Sequence, residues 1–118
     1  MKTQDILNLD YTKDKNKQII QKALLMVEPL SKYSDEDIVP FESIEKMLYK
    51  ICQKYMVYIK IDFDCQCTDH GCVLRCNIIR VKSLEVMPYV YGMCMYELFA
   101  KVVILLWKEI KNKKLERR

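Results

Sequence analysis

Glycine and proline are scarce: two glycines, Gly71 and Gly92, and three prolines, Pro29, Pro40 and Pro88, serve 118 residues. A Gly-rich phosphate cradle needs several glycines within one short loop, so nucleotide binding of that kind is excluded. Long flexible loops are disfavoured by the same scarcity. A single histidine, His70, rules out a two-histidine metal site. Residues 1–5 are polar and lack an apolar core, so no secretory signal is predicted there.

The chain is otherwise rich in folding material. An apolar content of 51% beside 31% charged residues suits one globular domain over residues 1–118 and argues against disorder. Six cysteines (Cys52, Cys65, Cys67, Cys72, Cys76, Cys94) without a signal predict a reducing, cytoplasmic setting, that of the host cell if the gene is phage-borne. Net charge is only +4, too mild to declare a nucleic-acid binder. Nine basic and nine acidic side chains fall within residues 1–59 and eleven and seven within 60–118, so the surplus is wholly C-terminal.

Hydrophobic spacing predicts an α+β fold in the order α-α-β-β-α: two N-terminal helices, one antiparallel hairpin and one long C-terminal helix. The first helix covers 13–28, where Ile19, Ile20, Ala23, Leu24 and Val27 recur at helical intervals. Thr12 is placed to cap it and Pro29 to end it. The second covers 40–55, with Pro40 in its first turn and Phe41, Ile44, Leu48, Ile51, Cys52 and Tyr55 along one stripe.

Period two then takes over. Val57, Ile59, Ile61, Phe63, Cys65 and Cys67 alternate with Tyr58, Lys60, Asp62, Asp64 and Gln66, the mark of a half-buried strand. A hairpin over 56–81 follows, turning at Thr68-Asp69-His70-Gly71 and pairing Cys67 with Cys72. That register puts Asp64 opposite Arg75 and Asp62 opposite Asn77 on one face. It leaves Ile61, Phe63, Leu74, Cys76 and Ile78 on the buried one.

The last helix is read over 86–113. Its first twenty-two residues, to Trp107, hold only two charges, Glu97 and Lys101. Such a stretch reaches the spanning length of about 20 residues. Pro88, Gly92, Glu97 and Lys101 interrupt it, and a charge at mid-membrane costs about 3 kcal/mol or more, so no membrane role is expected. A helix apolar all round must instead be covered on every side, and a small domain has little interior to cover it. From Pro88 to Lys113 a straight helix would run about 39 Å, against about 35 Å for the whole domain, so its tail should project or fray. The surplus predicts an interface at Tyr89, Tyr91, Met93, Met95, Tyr96, Phe99, Val103 and Trp107, residue types common at adaptable contacts.

Three further clusters carry chemistry only on a second reading. Cys65, Cys67, Cys72 and Cys76 resemble metal ligands, but they share a strand face with core residues, and free cysteine packs as a small hydrophobe. Asp62 and Asp64 are more simply ion-paired than catalytic. Lys108, Lys111, Lys113, Lys114, Arg117 and Arg118 could grip phosphates, or could complement the helix dipole as solvated lysines. No cofactor is expected, and no nucleophile–base pair stands out.

Ser34-Asp35-Glu36-Asp37-Ile38-Val39-Pro40-Phe41-Glu42-Ser43-Ile44-Glu45-Lys46, the hairpin and the closing helix from Met87 resemble the small phage α/β/α (ABA) sandwich domain. In that family a helix opening on Asp-Ile and running into an Ile/Val-Glu-Lys turn precedes paired strands and a return helix. The likeness covers residues 34–107. The first helix lies outside it, and the closing helix is aromatic where the family's is Ala-rich. The resemblance implies a phage or prophage origin and no established activity. The expectation is therefore a non-enzymatic phage or mobile-element protein that binds proteins, with a host defence or regulatory factor as target. The alternatives are a virion or assembly component and a nucleic-acid binder using the basic tail. A two-stranded sheet with both edges open predicts, besides a protein partner, a homodimer or higher oligomer.

Overall fold

A computed structural model of the chain describes residues 2–34, 36–64, 73–80, 85–87 and 89–118. Among these residues the elements are α1 (Thr3–Leu7), α2 (Asp14–Leu25), a 3-10 turn (Glu28–Leu30), α3 (Phe41–Lys54), β1 (Val57–Asp64), β2 (Val73–Arg80), β3 (Glu85–Val86), β4 (Val90–Gly92) and α4 (Met95–Lys111). The class is α+β, as the spacing predicts. Three details differ: α1 is an extra short helix, the sheet gains a third strand position, and the last helix starts nine residues later than the apolar run suggests.

The late start of α4 has a local cause. Tyr89-Val90-Tyr91-Gly92 alternates outward and inward, with Val90 and Gly92 buried between exposed tyrosines, so the segment pairs with β2 instead of coiling. An apolar run alone does not separate a buried strand from a buried helix. Seventeen residues of α4 then span about 26 Å, which fits a body measuring 38 × 37 × 25 Å.

β2 is central, with β1 on one side and β3 and β4 on the other. Ile79 faces Val86 and Cys76 faces Val90, so the pairing register along β2 slips by one residue between β3 and β4. That mismatch is a β-bulge, and Met87 N–H still reaches Ile78 O at 2.9 Å. On the other side the hairpin register differs from the sequence expectation by two. Asp62 faces Arg75, Lys60 faces Asn77 and Ile61 faces Cys76. An even shift keeps every side chain on its predicted face, so parity could not discriminate between the two.

The inner face of the sheet packs on the helices. Val57, Cys76, Ile78 and Val90 meet Ile44 and Ile51 of α3 and Leu98, Val102 and Leu106 of α4 within one continuous core. α4 is the central rod, touching α1, α2, α3, β2 and β4. All ten residues from Glu97 to Leu106 are buried. The predicted surplus on this helix is thus absorbed within a single chain, because α1 supplies Ile6 and Leu7 and the sheet is wider than two strands. Phe63, which the alternation predicts on the buried face, is instead 74% exposed, lying on the inner face but outside that core. No described helix is long and apolar enough to cross a membrane.

The ends of the helices account for the remaining differences. Thr12 does not cap α2; its N–H and hydroxyl both donate to Asp10 Oδ1, at 3.0 and 2.6 Å, forming an Asx turn. The chain after α4 neither projects nor frays. Lys114 N–H donates to Glu109 O and Lys113 N–H to Ile110 O (2.9 and 3.0 Å), a Schellman closure with Lys113 at φ 57°. Leu115 is then buried, and Arg117 bridges antiparallel to Tyr55.

Candidate binding surface

Alternation along three strands leaves a polar-aromatic outer face on the sheet. Its rows run Tyr58–Ile79, Lys60–Asn77 and Asp62–Arg75–Tyr91. Arg75 organises the last row. Its Nε donates to Asp62 Oδ1 at 3.0 Å, its Nη1 lies 3.6 Å from Asp64 Oδ2, and its guanidinium sits 5.0 Å from the Tyr89 ring. The Asp62 hydrogen bond holds the guanidinium pKa above its ordinary value. The two predicted carboxylates are therefore anchors for an arginine. Tyr89 and Tyr91 rings lie 6.4 Å apart, and Tyr89, Tyr91, Met93 and Met95 are all exposed. They form one run from β4 into the first turn of α4.

The other four predicted interface residues turn inward. The Tyr96 hydroxyl donates to Val39 O at 2.6 Å and accepts from Gln21 Nε2 at 2.7 Å, tying α4 to α2 and to the strand-like approach to α3. Phe99 stacks on Phe41 at 5.3 Å, and Val103 is wholly buried. Trp107 is half-buried between two clefts of about 320 and 300 Å³, with Nε1 buried and no partner among the described residues. Phe99 and Val103 are corrected from contact to core.

A cleft of about 580 Å³ opens between α2 and residues 36–38. Lys17, Lys22, Asp14 and Asp37 line it beside Tyr11 and Tyr96. Burial, then the neighbouring Tyr96, Cys94 and Glu97, pushes the Tyr11 phenol up to about 12. Burial also raises Tyr96, against the opposing pull of the Gln21 hydrogen bond. Both phenols stay protonated at neutral pH; their rings stack at 6.4 Å, and the Tyr96 hydroxyl is already engaged with Val39 O and Gln21 Nε2.

Of the four cysteines weighed as metal ligands, Cys65, Cys67 and Cys72 lie outside the described residues, as does His70. Cys76 is fully buried opposite Ile61, and burial pushes its thiol up to about 12, the reverse of a poised thiolate. Among the described residues no group of three His, Cys, Asp or Glu side chains could hold a metal.

In the basic tail, Lys108, Lys111, Lys113, Lys114 and Arg117 are exposed. Arg118 is engaged: its Nε donates to Tyr55 O at 3.1 Å and Cys52 O at 3.3 Å, satisfying carbonyls at the end of α3. The tail is thus divided between packing and a solvated lysine face.

Glu97 and Lys101, read in the sequence as interruptions, form a sealed ion pair, Nζ to Oε2 2.6 Å. Lys101 also donates to Leu9 O (2.9 Å) and Glu97 accepts from Met93 N–H (2.7 Å). Their spacing of four on one helix was the available signal. No protein-family model, curated protein or solved structure matches the chain.

Proposed function

We propose that this protein works by occupying another protein, through the run Tyr89, Tyr91, Met93 and Met95 and the outer sheet face beside it. The carrying observation is that these four large side chains stay in water at one place, on a chain that buries all ten residues from Glu97 to Leu106 of its most apolar helix. Arg75, beside Tyr89, gives the surface a cation–π anchor of the kind enriched at binding hot spots. The action is occupancy without catalysis, in the cytoplasm. The resemblance to the phage sandwich domain gives the finer reading, a phage or mobile-element protein inhibiting a host defence or regulatory factor.

Capture from host-cell lysate on immobilised protein tests this, with Tyr89→Asp/Met93→Asp as the disrupted surface. A control, Tyr49→Asp, alters an exposed tyrosine on α3. A specific partner should be lost with the first variant and kept with the second. Equal capture by all three proteins, or salt-sensitive retention of nucleic acid that needs residues 108–118, overturns the reading.

A further inference from the structure

The two edges of the sheet are built differently. The β3–β4 edge consists of two short pieces broken by a bulge, which are standard devices against edge-to-edge pairing. β1 has neither protection. It runs eight residues without interruption, has a strand on one side only among the described residues, and carries Tyr58 and the 74% exposed Phe63. The C-terminal bridge touches Tyr55, before β1 begins.

The β1 sequence, Val-Tyr-Ile-Lys-Ile-Asp-Phe-Asp, is complementary to itself when reversed. In an antiparallel pair related by a twofold axis, only registers centred on a residue keep inner side chains facing inner ones. Centring on Lys60 sets lysine against lysine. Centring on Asp62 sets aspartate against aspartate, and centring on Phe63 sets Asp62 against the partner's Asp64. Centring on Ile61 does none of these. It sets Lys60 against the partner's Asp62 twice, on the outer face, and Phe63 against the partner's Ile59 twice, on the inner face. Lys60 is exposed and has no ion pair among the described residues. Asp62 would be bracketed by Arg75 from β2 and by the partner's Lys60 from across the seam. Opposite charges facing across strands are favourable, and like charges there are unfavourable.

We propose that β1 is the seam of a homodimer, pairing antiparallel with β1 of a second copy about Ile61 to make one continuous sheet. The seam lies across β2 from Tyr89 and Tyr91, so it leaves the proposed binding surface open and does not rest on that reading.

Sedimentation velocity of the full chain over a concentration series reads the equilibrium directly. The wild type should dimerise. Lys60→Asp places two aspartates against Asp62, and Asp62→Lys places two lysines against Lys60, so each alone should dimerise at least about tenfold more weakly. Mixed in equal amounts, the two should recover a heterodimer, because every facing pair is again opposite in charge. A folding defect would not be repaired by mixing. Phe63→Lys gives a second reading at a side chain too exposed to matter for the fold, and it should weaken the dimer while far-UV circular dichroism stays unchanged. A wild type that stays monomeric up to its solubility limit overturns the seam. So do single reversals that dimerise as strongly as wild type, or a mixture that recovers nothing.

Discussion

Lys101 Nζ lies 2.6 Å from Glu97 Oε2, one turn apart on α4, with both side chains sealed from solvent. The pair also clamps two connections to the helix, through Leu9 O and Met93 N–H. Removing one member strands the other as an uncompensated buried charge. Lys101→Met should therefore lower unfolding stability by about 3–5 kcal/mol. The double variant Glu97→Gln/Lys101→Met should recover a large part of this, since glutamine can still accept from Met93 N–H. Urea titration of the wild type, both single variants and the double variant gives the coupling energy.

Gly92 is the second rigid point. A Cβ built there would lie 2.8 Å from Leu98 N and 3.0 Å from Leu98 Cα, and backbone cannot swing away as a side-chain tip can. The absence of a side chain lets β4 press against the first turns of α4. Gly92→Ala should cost about 1–3 kcal/mol through overpacking. It should also loosen the β4–α4 junction that carries Tyr91 and Met93, which hydrogen exchange of the Met93 and Leu98 amides would report.

These two sites show what the sequence made legible. Strict alternation from Val57 to Asp64 gave the hairpin and the faces of its strands, because side-chain parity is a local property. It did not give the register, since pairing Arg75 with Asp64 or with Asp62 preserves parity. Long-range geometry chose Asp62, with Tyr91 completing the row from a strand the sequence hid inside an apolar run. Glu97 and Lys101 were visible as charges, but only the fold shows that they face each other in the core. For the proposed surface, the sequence offered eight residues between Tyr89 and Trp107. It could not separate Tyr89, Tyr91, Met93 and Met95 from Phe99 and Val103, because exposure depends on α1 and the third strand.

Lys113 ends α4 in the left-handed region, at φ 57°, where the Schellman closure normally places glycine. An L-residue costs about 1–2 kcal/mol there, and glycine returns part of that as unfolded-chain entropy, about 0.5–1 kcal/mol. Lys113→Gly should thus stabilise the protein by about 0.5–1 kcal/mol. A higher thermal midpoint with unchanged helix content is the expected result. A lower midpoint would mean that the lysine side chain contributes more than its backbone costs.

Cys76 sets the behaviour in alkali. Burial, with smaller contributions from Cys52 and Asp62, raises its thiol from an ordinary 9.0 to about 12. Tyr11 moves the same way, from 10.0 to about 12. Between those values the unfolded chain releases protons that the folded chain retains. Stability is then complete below about pH 9 and falls as the pH rises toward about 12, at no more than about 1.4 kcal/mol per pH unit for Cys76 and by less for the partly exposed Tyr11, which solvent screens. Urea midpoints measured across that window should decline. Cys76→Ala should start lower at neutral pH, because it leaves a small cavity, and should decline less steeply thereafter, because one of the retained protons is gone. Alkylation in the folded state should discriminate in the same sense. Among the described cysteines, the exposed Cys94 should react first and Cys76 only on unfolding, as peptide mass spectrometry of the partly labelled protein would show. Parallel slopes for the wild type and Cys76→Ala, or early labelling of Cys76, would place that thiol in water and remove it from the inner face of β2.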